Sequence, residues 1–117
     1  MPWVDVNTGK SVSTEDQVSI KSGVAAILLE TLDKQERGLN VTFVRTDAYY
    51  RAGESCNDAA AVDIRYIGTF ALEKKREITR RVCKLLEDTL SVDPKKIIVL
   101  FSEMDSQNWG RNQGEFE

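Results

Sequence analysis

The chain contains no histidine. That absence removes every Ser-His or Cys-His nucleophile pair and every zinc site that needs an imidazole. A group that moves protons near neutral pH must then have a shifted pKa: a carboxyl raised, a lysine lowered, or a terminal amine. Cysteine is scarce as well. Cys56 and Cys83 stand too far apart for a Cys-x-x-Cys pair or a metal-ligand spacing, so the expectation is reduced thiols in a cytoplasmic protein. No apolar run approaches the length needed to span a bilayer. The opening MPWVDVNTGK has neither the basic start nor the apolar core of a secretory signal, so no membrane contact is expected, and the protein is expected in the cytoplasm or else secreted without a classical signal peptide. With 19 acidic against 16 basic residues and a net charge of -3, the chain also lacks the footprint of a nonspecific nucleic-acid binder.

What is present fits one domain over residues 1–117, since 117 residues with 41% hydrophobic content can build one core and are too few for two ordinary ones. Val4 and Val6 alternate with Trp3, Asp5 and Asn7, the period of a strand over Pro2 to Thr8. Ser13 and Thr14 offer helix caps, with Gln17 in capping-box position to Thr14. Val18, Val24, Ala25, Leu28 and Leu32 then recur at helical spacing, with Ile20 and Ile27 widening the stripe. Gly23 is a small cost inside that helix. A second alternating strand runs from Leu39 to Val44, and Asp47 to Asp58 reads as a loop or a strand extension with a turn.

The second half repeats this order. A strand over Ala59 to Ile67 precedes a helix from about Phe70 to Leu90 with Leu72, Ile78, Val82, Leu85 and Leu86 on one face. Asp93-Pro94 then leads into KIIVLFS, a strand apolar on both sides. Pro2 and Leu39 stand about 37 residues apart, as do Ala59 and Lys96. The chain reads as an α/β (α+β) fold: two βαβ repeats forming a four-stranded mixed sheet with two helices on one face. The other face needs a cover, and a further copy of the chain is the expected one.

Pro2 carries the chemistry. Removal of Met1, which a small second residue permits, leaves a secondary amine at the head of an apolar strand. Desolvation beside Trp3 and Val4 would disfavour its protonated form, which supplies the base that a histidine-free chain otherwise lacks.

A proline directly after Met1, two βαβ units, VNT in the first strand, Tyr-Ile-Gly at Tyr66 to Gly68, Val-Asp-Pro-x-x-Ile before the last strand and the closing WGRNQGEF together resemble the macrophage migration inhibitory factor and D-dopachrome tautomerase family nearly end to end. The resemblance implies a tautomerase-type fold and a homotrimer with active sites at subunit boundaries. It implies Pro2 as catalytic base, Lys34 as substrate-binding lysine, Ile67 beside the pocket and Phe116 as an aromatic near the carboxyl terminus. Trp3 and Trp109 become pocket candidates by their nearness to the two chain ends. Arg111 stands where the family has a pocket tryptophan. The family's neighbouring-subunit tyrosine and asparagine fall on Ile98 and Leu100, whose side chains make no hydrogen bonds.

The expected function is keto-enol tautomerisation of a small aromatic or unsaturated α-keto acid, without metal or organic cofactor. Pro2 removes and returns the proton, and Lys34 holds the carboxylate or the developing enolate charge. The alternative is a non-catalytic trimeric, cytokine-like or ligand-binding protein of the same fold, with a protein receptor as partner. A ferredoxin-like regulatory or nucleic-acid domain is disfavoured by the acidic balance and by the lack of an aromatic RNA-binding strand motif.

Overall fold

The computed structural model describes residues 2–112. Strand β1 (Trp3–Thr8) leads to helix α1 (Thr14–Leu32), and a short 3-10 turn (Glu36–Gly38) leads into β2 (Asn40–Arg45). A small hairpin, β3 (Tyr50–Arg51) and β4 (Glu54–Ser55), separates this unit from β5 (Ala60–Ile67), α2 (Leu72–Leu90), a second 3-10 turn (Pro94–Lys96) and β6 (Ile97–Met104). Ala52 and Gly53 both take positive φ, 53° and 82°, the conformation of a tight hairpin turn. That turn occupies the stretch expected to be a loop or a turned strand extension.

The sheet order is β2-β1-β5-β6. Strands β1 and β2 pair in parallel, β5 and β6 pair in parallel, and β1 meets β5 antiparallel with Val4 opposite Ile64 and Val6 opposite Val62. Each strand start lies one residue beyond the one read from sequence, and the spacing within each βαβ unit is preserved.

Alternation decides which side is buried. Val4, Val6, Val62, Ile64 and Tyr66 turn to the helices and are fully enclosed, against Ile20, Val24 and Leu28 of α1 and Ile78, Val82 and Leu86 of α2. Full burial of such side chains stabilises by roughly 1.5–3 kcal/mol each. The helical stripes differ in detail from those the sequence suggests. Val18 and Leu72, placed on the stripes by sequence, are exposed, whereas Ile20 and Ile27 are in the core as expected. Gly23 matters more than a small helix penalty: a Cβ there would lie 2.7 Å from the Leu85 methyls, so its bare backbone is what lets Leu85 of α2 approach α1.

The helix ends are set by local chemistry. Ser13 caps α1, its hydroxyl accepting from Asp16 N at 3.1 Å. Thr14 is the first helical residue rather than the cap, and the Gln17 side chain donates to Val12 O. At the far end Asp33 adopts a left-handed conformation (φ 57°) and its N–H donates to Leu29 O at 3.0 Å, the bond of an αL cap, while the Lys34 N–H reaches back to Leu28 O at 3.2 Å. Helix α2 begins at Leu72 rather than near Phe70. The Phe70 N–H is taken by the Glu103 carboxylate at 2.8 Å, which holds it out of the helix.

The other sheet face carries no helix. Asp5, Asp63 and Arg65 form its polar centre, with Arg65 3.0 Å from Asp63 and 4.0 Å from Asp5. Thr42 also donates to Asp5. Beside them Ile98 and Leu100 are each 50% exposed, so β6 is apolar on both sides as its sequence suggests. The face as a whole is mixed.

Two outcomes follow from these contacts. Asp33→Gly removes the cost of a side chain in the left-handed region, and should stabilise the fold by up to about 1 kcal/mol, read as a rise of roughly 3–5 °C in thermal midpoint. Glu103 is held below the usual carboxylate range by donation from Phe70 N–H first, then by Lys75 and Tyr66. A carboxyl with a lowered folded pKa contributes stability above its unfolded pKa and loses it as pH falls through the folded value. Denaturation of wild type and Glu103→Gln should therefore differ at neutral pH, and the difference should shrink progressively below about pH 4.5.

Candidate active site

Antiparallel pairing of β1 with β5 brings the start of one to the end of the other. Pro2 is therefore placed at the sheet edge where β5 closes at Ile67 and where β2 begins. Pro2 is buried, and its carbonyl accepts from Asn40 N at 3.0 Å. Lys34 reaches the same edge from the end of α1. Its Nζ donates to Ile67 O at 3.2 Å and lies 5.6 Å from the centre of the Phe70 ring.

The turn that receives Lys34 is itself fixed. Gly68 sits at φ 110°, a region that favours glycine, and its N–H donates to Met104 O at 3.0 Å. Phe70 packs edge-on against Tyr66, with centroids 5.2 Å apart. The Tyr66 hydroxyl donates to the same Glu103 carboxylate that holds Phe70 N–H. Burial, and then this bond to Glu103, push the Tyr66 phenol well above its ordinary value, so it acts as a fixed donor. Sequence periodicity gives no sign that Glu103 holds this turn, because its partners are 28 to 37 positions away.

On the opposite face of β1 a cleft of about 530 Å³ opens beside Trp3. Trp3 and Trp109, with Arg37, Arg65, Asn108 and Arg111, form much of its wall. The Trp3 indole N–H donates to Asp5 at 2.7 Å, which fixes the ring. Trp109 follows a 3-10 turn over Ser106–Asn108, and its N–H donates to Ser106 O at 3.1 Å. Trp3, Trp109 and Arg111, all candidates from sequence, are thus brought together. Lys34 is not part of this cleft wall; it meets the Ile67–Phe70 turn instead. Arg37, Arg65 and Asn108 line the cleft without having been singled out by sequence. The register sets Trp3 opposite Arg65, and Asn108 directly precedes the candidate Trp109.

Ile98 and Leu100 are not at this end of the sheet. They pair with Ala61 and Asp63, whereas β5 ends four residues after Asp63, at Ile67, about 13 Å further along at the rise of a strand. Phe116 and Met1 lie outside the described residues. Among the described residues no group of three or more His, Cys, Asp or Glu is arranged to hold a metal ion, and no helix is long and apolar enough to cross a membrane. Cys56 and Cys83 are free thiols.

Similarity to known proteins agrees with this architecture. The crystal structure of MIF2 from Leishmania major superposes with a TM-score of 0.86 at 20% identity, covering 96% of this chain and 94% of that one. Pt0534 inactivated by 2-oxo-3-pentynoate gives 0.85 at 13% identity, covering 96% and 93%. A symmetric trimer of fused wild-type 4-OT gives 0.85 at 14% identity, covering 97% and 94%. At these identities the likeness is one of fold. No curated protein matches the chain in sequence. The sequence model for macrophage migration inhibitory factor, however, matches residues 1–116. With the paired βαβ units, and with Pro2 and Lys34 brought to one sheet edge, that match shows that the chain belongs to the macrophage migration inhibitory factor family.

Proposed function

We propose that the protein is a keto-enol tautomerase acting on small aromatic or unsaturated α-keto acids, with Pro2 as its amino-terminal base. The observation that carries this reading is the convergence of buried Pro2 and the tethered Lys34 side chain on the edge where β5 ends. Once Met1 is removed, Pro2 bears a secondary amine in a poorly solvated position. Burial disfavours its protonation, which leaves a lone pair free to take a proton from the carbon next to the ketone. Lys34 Nζ is positioned to receive the substrate carboxylate or the enolate charge, exchanging its backbone carbonyl partner for an anion. The same amine returns the proton at the other end of the enol, so no external acid is consumed. Inactivation of the structural neighbour Pt0534 by 2-oxo-3-pentynoate, itself an α-keto acid, supports that substrate class.

The same reading makes the working unit a homotrimer of single-domain chains. The open sheet face, the two unpaired sheet edges β2 and β6, and the trimeric fused 4-OT neighbour support it. Ile98 and Leu100 would then reach the pocket from a neighbouring subunit, as packing surface without hydrogen-bonding capacity. That last feature favours a second reading, in which the trimer binds a ligand or a protein receptor and turns nothing over.

Pro2→Gly should lower kcat/KM for phenylpyruvate ketonisation by about 10²–10⁴-fold, with the circular dichroism and thermal midpoint retained. Equal activity in the variant would place the chemistry elsewhere, and inactivity of a wild type shown by mass to lack Met1 would favour the binding reading. Light scattering should give about three times the 13.2 kDa chain mass. Leu100→Glu, which sets a charge on an apolar contact, should reduce that mass toward the monomer.

A further inference from the structure

The cleft beside Trp3 has a charge character unlike that of the rest of the chain. Against a net charge of -3, its wall contains Arg37, Arg65 and Arg111 and no carboxylate among the described residues. Arg65 is occupied, since Asp63 lies 3.0 Å and Asp5 4.0 Å from its guanidinium. Arg37 and Arg111 make no ion pair with a described residue. Glu36, the neighbour of Arg37, turns to Lys21 instead at 3.7 Å. Two guanidinium charges thus face a recess that also holds both tryptophans of the chain. Planar aromatic walls with guanidinium groups that pair with no described carboxylate suit a flat ring that carries an acidic group, because the ring stacks while the fork of N–H donors meets both carboxylate oxygens.

Lys34 supplies a separate cation at the Ile67–Phe70 turn, outside this cleft. Trp3 in the cleft wall directly follows Pro2, and neighbouring residues of a strand point to opposite faces. Cations thus lie on either side of the strand start at Pro2.

We propose that the Arg37–Arg111 cleft is a second anion subsite, and that the preferred substrate is a dianion: an α-keto acid whose far end bears a second carboxylate on an aromatic ring. The chemistry rests on the tautomerase reading above, whereas binding in the cleft can be measured independently of it. Lys34 takes the carboxylate next to the ketone. Trp3 and Trp109 flank the ring, and Arg37 and Arg111 receive the distal carboxylate. Arg65, already paired with Asp63 at 3.0 Å, adds no further anion-binding group to the wall.

Because both tryptophans line the cleft, intrinsic fluorescence reports on it directly. The probe is 4-carboxyphenylacetate, which has no ketone and cannot tautomerise, compared with phenylacetate. In the wild type the dicarboxylate should bind about tenfold or more tightly than the monocarboxylate, the gain expected of a charge-assisted bidentate pair. Arg37→Gln and Arg111→Gln should each bring the two affinities together, while Arg76→Gln on α2 should leave their ratio as it was. In turnover, KM for 4-carboxyphenylpyruvate should lie below that for phenylpyruvate, and Arg37→Gln should abolish the difference. Equal affinity for the two acetates in the wild type would overturn the subsite. Tight dicarboxylate binding that depends on Arg37, without turnover of either keto acid, would uphold the subsite and sink the tautomerase reading.

Discussion

The pairing of β1 with β5 is the contact on which the other features depend. Each βαβ unit by itself is a parallel strand pair under one helix, with an apolar strand edge still open. Joining the units antiparallel through Val4 opposite Ile64 and Val6 opposite Val62 places the most deeply buried positions of both units in one layer beneath two helices. The same seam sets the start of the chain beside the end of β5. The strand that begins there is central in the sheet, and Pro2 is buried.

The remaining pieces of the edge are fixed by backbone chemistry more than by side-chain packing. Asp33 in the left-handed region turns the chain out of α1, so that Lys34 leaves the helix toward the sheet. Gly68 closes the turn after β5, and Glu103 of β6 holds that turn through the Phe70 N–H and the Tyr66 hydroxyl. Lys34 then has a carbonyl acceptor at Ile67 and an aromatic ring at Phe70, an arrangement that keeps its ammonium group in place. Glu103 also pairs with Lys75 at 3.2 Å, which ties the turn to the first part of α2.

The open face is shaped by the same alternation that fills the core. Every residue that points inward from β1 or β5 has a neighbour that points outward, and there the sequence places Asp5, Asp63 and Arg65 at the centre, with Ile98 and Leu100 to one side. One Asp63 oxygen is enclosed without a hydrogen-bond partner among the described residues, a costly state for a buried carboxylate oxygen. The face thus combines a charged centre with an apolar flank, and the Arg-rich cleft opens at its Pro2 end.

The repeated βαβ order and the strand faces could be read from the sequence, and Pro2 and Lys34 could be singled out from it as candidates. The first two follow from periodicities of two and of about 3.6 residues, which local burial imposes on any chain. Pro2 stood out because a histidine-free chain has few other neutral-pH bases, and Lys34 because of its family resemblance. Arg37, Arg65 and Asn108 could not be read in this way. They lie on a 3-10 turn, a strand and the last turn before Trp109, and each is an ordinary polar surface residue in its own segment. The site role of Glu103 was hidden for the same reason, since its partners are on β5 and α2. Local sequence determined which residues are buried in each element, because burial follows a period of a few residues. Which distant residues share the cleft and the turn was decided by the long-range strand registers, β1 with β5 and β2 for the cleft and β5 with β6 for the turn, because these pairings align the ends of elements that are far apart along the chain.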